Sequence, residues 1–191
     1  MTRLKDTRTL VTAALLAAFT CIATMVIQIP TPTLGYIHPG DCLVLLSGVI
    51  LGPVLGGFTA GIGSMLADLL SGYAIYVIPT FIIKALTACI AGYLFRYLQQ
   101  KKQVNHYPAL IVAGLCGEIN VVCGYFLNTI VKTMVLSASY SKETFAAGFT
   151  SAITGIAPNV LQGAVGIVLA LALFPILSKV PDIRAWMNSP S

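Results

Sequence analysis

Charged residues are scarce in this sequence: Asp, Glu, Lys and Arg together make up 9% of its 191 residues, against about 25% in soluble domains. The 57% hydrophobic content that accompanies the shortage is more than a water-soluble core of this length absorbs, and the mean hydropathy is +0.89. Long polar linkers are lacking too, so one membrane-embedded bundle over residues 1–191 is expected. Several chemistries have no motif. There is no G-x-x-x-x-G-K-[ST], no dinucleotide fingerprint and no H-E-x-x-H, and the only histidines are His38 and His106. Ser64 has no histidine partner in the apolar runs, which argues against an intramembrane serine protease. The five cysteines (Cys21, Cys42, Cys89, Cys116 and Cys123) form no C-x-x-C pair and read as small buried hydrophobes. No metal, cofactor or catalytic residue is expected. The net charge of +5 does not indicate nucleic acid, because the basic residues flank apolar runs rather than forming a phosphate-binding face.

What the sequence does have is apolar runs of spanning length. The first follows a basic leader and covers residues 9–29. Ala13, Ala14, Ala17 and Ala18 lie in it as two overlapping small-x-x-x-small pairs, a flat face that permits close helix approach. Residues 30–40, PTPTLGYIHPG, hold three prolines and two glycines and read as an external loop. The run over 41–70 is ambiguous. As one helix it extends about 45 Å at 1.5 Å per residue, too long for a hydrocarbon core of about 30 Å without steep tilt. Basic residues decide the matter. Broken midway, the chain places Arg3, Lys5, Arg8, Arg96, Lys101, Lys102, Lys179 and Arg184 on one side and Lys132 and Lys142 on the other, eight against two; unbroken, the count is five against five, with Lys84 intramembrane either way. The positive-inside rule selects the break. The fold expected is all-α, with six transmembrane helices near 9–29, 41–53, 57–71, 79–98, 108–132 and 148–177, an inside turn over 52–57, and both termini cytoplasmic.

Ionisable and polar side chains inside such runs are costly unless they face a bundle interior or a cavity. Those biased to the outer half are Tyr36, His38, Asp41, Tyr73, Tyr76, Lys84, Glu118, Asn128, Asn159 and Gln162. Glu118, Tyr125, Asn128 and Lys132 form a stripe on one helix face, and Asn120 lies on another, where it reads as a helix–helix hydrogen bond. Mixed donors, acceptors and aromatics suit a small flat polar heterocycle. In this reading Lys84 and Glu118 are the buried anchors, Tyr73 and Tyr76 the stacking walls, and Asn128, Asn159 and Gln162 the hydrogen-bonding groups. Pairing of Asp68 with Lys84 is a structural alternative. A membrane pocket with no energy-coupling apparatus of its own points to a subunit of a larger machine.

GDCLVLLSGVILGPVLGG at 40–57, followed by LADLLSGY at 66–73 and IPTFIIK at 78–84, resembles the substrate-binding S components of energy-coupling factor (ECF) vitamin transporters, in their pyridoxine- or hydroxymethylpyrimidine-type branch. The resemblance covers the whole chain. It implies a non-catalytic six-helix subunit with an outward-facing vitamin pocket. It implies as partners a small heterocyclic vitamin, a membrane coupling subunit and two cytoplasmic ATPases, within the lipid bilayer of a bacterial plasma membrane. It further implies that Ala13, Ala14, Ala17 and Ala18 dock on the coupling subunit, that residues 30–40 act as a lid, and that the subunit topples to deliver its ligand. The competing readings are a self-sufficient small secondary transporter or channel and, behind it, an intramembrane enzyme.

Overall fold

Glycine and proline decide how the second apolar stretch folds. In the computed structural model, which describes residues 6–188, helix α2 (Asp41–Leu51) ends at Gly52, whose φ of 90° lies in the region that favours glycine. Helix α3 (Pro53–Leu70) starts on the next residue with proline in its first turn, where a missing N–H costs nothing. The break expected from charge counting is therefore present, but as one hinge residue and not as a turn over 52–57.

The other long helices are α1 (Thr7–Val26), α4 (Val77–Lys102), α5 (His106–Leu136) and α6 (Lys142–Leu177), with a short α7 (Pro181–Asn188) at the end. Among the described residues five helices are long and apolar enough to cross a membrane, and α2 is a shorter apolar sixth. The chain is thus an all-α membrane bundle. The first span stops at Val26 and not at residue 29, because Ile29–Pro30 (β1) turns back to pair antiparallel with Tyr36–Ile37 (β2). The loop expected over 133–147 shrinks to 137–141 as α5 and α6 extend beyond their predicted ends. Arg3 and Lys5, counted above, lie outside the described residues.

At eleven residues, α2 is about 16 Å long, roughly half a hydrocarbon core. Its depth is fixed by α4. Gly48 packs on the Ala88 backbone, Gly92 on Gly48, and Gly52 against the Arg96 side chain, so α2 runs beside α4 from the level of Lys84 to that of Arg96. Its Asp41 end sits at mid-depth. Arg96, expected at a helix end in the inside connector, is instead buried two turns before the end of α4. Below Asp41 the α2 core is mainly apolar, with Val44, Leu45, Leu46, Val49 and Ile50 fully buried and Ser47 and Arg96 the polar exceptions along it. Ile183 and Met187 of α7 close the lower end of this core, with Trp186 packed beside them, and Arg8 approaches Asp182 at 3.7 Å. Both ends of the described chain therefore lie on one face. Above Asp41 the outer half is filled by the β1–β2 hairpin.

Candidate functional site

The site is built in two layers. The lower layer begins at the first turn of α2. Asp41 and Lys84 are both fully buried and paired, with Lys84 Nζ donating to Asp41 Oδ1 at 2.5 Å. A carboxylate in the first turn of a helix also meets the positive end of the helix dipole. Gln162 of α6 donates to Asp41 Oδ2 at 2.6 Å and accepts from the His38 backbone N–H at 3.1 Å, tying three chain segments together. Gly166 and Gly163 let α6 approach this closely, since side chains there would strike Asp41 and Glu118. Glu118 is 6% exposed and has no hydrogen-bond partner among the described residues. It lies within electrostatic reach of Asp41 and Lys84 and borders a lateral apolar groove of about 290 Å³ between α5 and α6.

The upper layer is a polar pocket beneath the hairpin. β2 presents Tyr36, which donates from its hydroxyl to Asp68 Oδ1 of α3 at 2.7 Å. Burial and the Asp68 carboxylate push the Tyr36 hydroxyl pKa upward, so it remains a donor. The neighbouring helices complete the walls. Tyr76 donates to the Thr33 carbonyl at 2.6 Å, Thr80 and Tyr125 share a hydrogen bond of 3.0 Å, and Thr129 and Asn159 reach the same space together with Thr31, Thr33, Gly35 and His38. Lys132 Nζ donates to both the Thr33 carbonyl and the Tyr76 hydroxyl, fastening the hairpin tip to α5. With the hairpin docked, about 30 Å³ of space remains, room for about one water.

His38 is buried, not solvated, and burial lowers its pKa from 6.5 to about 4. Its Nδ1 accepts from the Gly40 N–H at 3.1 Å, a bond that orders the turn into α2.

Of the residues expected from sequence, Tyr36, His38, Tyr76 and Asn159 border the pocket. Tyr73 stands behind it against the Tyr36 ring, 4.7 Å between centroids. Asp41, Lys84, Glu118 and Gln162 form the layer beneath. Asn128 is half-buried on α5, its amide nitrogen without a partner among the described residues. The alternative pairing of Asp68 with Lys84 is replaced by Lys84–Asp41 and Asp68–Tyr36. The alanine face of α1 splits: Ala13 joins the core and the Ala17 backbone meets Gly63 of α3, whereas Ala14 and Ala18 face outward. Asn120 makes the interhelical bonds expected of it, donating to the Ile83 carbonyl at 3.1 Å and to Thr87 at 2.9 Å. Cys123, expected to be buried, is exposed on α5.

Sequence reading missed Thr31, Thr33, Thr80 and Thr129 in the pocket and gave Asp68 only a structural part. A signal was present for two of them: Thr80 lies one turn from Lys84, and Thr129 one turn from Tyr125. Thr31 and Thr33 become visible only once the loop is known to be a hairpin.

The chain resembles known proteins over nearly all its length. A family model described as the S component of an ECF-type riboflavin transporter matches residues 5–179. An uncharacterized protein of Pyrococcus woesei is 30% identical over 157 residues, 82% of this chain and 97% of the relative; it gives no support to the bacterial source expected from sequence. The solved S component of a bacterial ECF transporter superposes with a TM-score of 0.63 at 21% identity, covering 90% of this chain and 96% of that one. The biotin S component of an ECF-type ABC transporter gives 0.62 at 19% identity, covering 98% and 100%. ThiT from Listeria monocytogenes gives 0.57 at 14% identity, covering 91% and 97%. At these identities the structural likeness is one of fold.

Proposed function

The chain belongs to the S components of ECF-type transporters, multi-pass membrane proteins that bind a vitamin for uptake and are not enzymes, and from that premise we propose that its outer pocket takes up a small, flat, polar heterocycle from outside. One observation carries this reading: a pocket walled by tyrosines and threonines lies beneath the hairpin, while the α2 core below Asp41 and Lys84 is closed by fully buried Val44, Leu45, Leu46, Val49 and Ile50. A channel or self-sufficient carrier needs a polar path through the inner half, and α2 fills that half with valine, leucine and isoleucine.

The substrate is a water-soluble vitamin or precursor. Riboflavin is the compound in the matching family's description; pyridoxine- and hydroxymethylpyrimidine-type rings are the smaller candidates suggested by the 40–84 stretch. Tyr36, Tyr76 and Tyr125 offer ring faces and hydroxyls, Asn159 an amide, and Asp68 an acceptor. Lys84 and Glu118 support the floor. Energy comes from partners, a membrane coupling subunit and two cytoplasmic ATPases, with the outward face of α1 at Ala14 and Ala18 available for the former.

Native mass spectrometry of the purified protein should show a co-purified heterocycle whose mass separates the candidates. Uptake in vesicles should require the ATPase subunits. Transport by this chain alone, in vesicles free of any ATPase, would overturn the reading.

A further inference from the structure

Asp68, when ionised, is the pocket's one side chain that can only accept. Its neighbours Tyr36, Tyr76, Thr80 and Tyr125 carry hydroxyls, which donate or accept as required. The carboxylate is 5% exposed. Oδ1 accepts from Tyr36, and Oδ2 has no hydrogen-bond partner among the described residues. Thr80 also lies within reach of the group, yet two hydroxyls leave capacity unused on a carboxylate with about four acceptor positions. Buried polar atoms are rarely left without a donor.

The nearby cations are committed elsewhere. Lys84 is paired with Asp41 beneath the pocket, and Lys132 holds the Thr33 carbonyl and the Tyr76 hydroxyl. No lysine or arginine lines the pocket itself. Among the described residues no cation therefore forms an ion pair with Asp68.

We propose that Asp68 selects the ligand by accepting a hydrogen bond from an N–H group, neutral or cationic, at Oδ2. The inference rests on the reading of this pocket as the ligand site. An imide N–H, an exocyclic amine or a protonated ring nitrogen meets the requirement.

The test measures binding to purified protein in detergent, with riboflavin and hydroxymethyl-aminopyrimidine as probes. Each is paired with an analogue whose donor nitrogen is fully methylated, so that no N–H remains. For the tighter-binding parent, wild type should lose about 10- to 100-fold on methylation, the scale of one hydrogen bond to a charged group. Asp68→Asn, close in volume, should weaken the parent and bring the ratio of parent to methylated analogue near one. Tyr36→Phe removes the Asp68–Tyr36 bond but keeps the carboxylate, so it should lower thermal stability and leave that ratio high. Equal binding of parent and methylated analogue by wild type, or an unchanged ratio in Asp68→Asn, overturns the selection by Asp68. If neither probe binds and native mass spectrometry finds another small molecule, that molecule becomes the parent compound for the same comparison. If nothing binds and nothing co-purifies, the pocket reading fails, and the inference fails with it.

Discussion

Two side chains at the centre of the bundle show how much depends on a single partner. Asp41 and Lys84 are both fully buried, so each is tolerable only while the other is present. Removing one partner of a buried ion pair typically costs about 3–5 kcal/mol, whereas replacing both with apolar residues of similar size is often near neutral. Asp41→Ala and Lys84→Ala should each lower the thermal unfolding midpoint in detergent sharply, and Asp41→Leu with Lys84→Met should recover most of the loss. A double variant as unstable as the singles would show that the pair is needed for more than mutual neutralisation. His38 gives a pH dependence of known sign. Docked, its pKa is lowered to about 4 by burial, with Asp41 pulling it up and Lys84 pushing it down; released, the imidazole returns to about 6.5. Between these values the released hairpin binds a proton that the docked one does not. Docking therefore keeps its full stability above about pH 6.5 and loses it progressively as pH falls towards 4. The thermal midpoint of wild type, measured against His38→Gln, should drop over that range. Parallel curves would remove His38 as the cause.

At the scale of the helices, packing is set by where side chains are missing. The α2–α4 contact brings backbone against backbone: a Cβ at Gly48 would fall on the Ala88 carbonyl, and one at Gly92 on Gly48. Neither obstacle is a side chain able to turn aside. At Gly117 of α5 the nearest atom is the end of Leu45 at 3.1 Å, and the Thr87 methyl and carbonyl oxygen stand off at 3.3 Å, well beyond the 2.0 Å at Gly48. Gly48→Ala should therefore destabilise by more than about 4 kcal/mol and reduce the folded yield, while Gly117→Ala should fold with a small loss, as read by size-exclusion profile and thermal midpoint. Equal losses would mean that the α2–α4 approach is looser than described. The existence of this helix pair was legible in the sequence, because lysines and arginines counted across the membrane required a break in 41–70. Its depth was not. Hydropathy measures length along the chain, and only the meeting of Gly48 with Ala88 and of Gly52 with Arg96 places Asp41 halfway down.

For the whole molecule, that depth explains which parts of the site could be read in advance. The polar residues of the helices were visible as costly exceptions in apolar runs. Their sorting into floor and walls was not, because it depends on α2 ending at mid-depth and on the hairpin descending to meet it. The threonines of the hairpin looked like ordinary loop residues until Ile29 paired with Ile37 and Pro30 with Tyr36. Under the function proposed above, the hairpin has to act as a gate. With it docked, the space beneath is about 30 Å³, far below the several hundred Å³ usual for a small-molecule site, so a heterocycle enters only after Thr33 leaves Tyr76 and Lys132. The tip also touches α6: a side chain at Gly155 would begin 3.0 Å from Thr33 Cγ2. Thr33→Cys with Gly155→Cys, in a background with the five native cysteines replaced, is therefore close enough to bridge. The oxidised protein should neither take up nor release ligand on the time scale of the reduced form, and reduction should restore both. Unchanged ligand exchange with the bridge formed would show that the heterocycle reaches Tyr36, Asp68 and Asn159 by another path, and that the hairpin is a fixed wall.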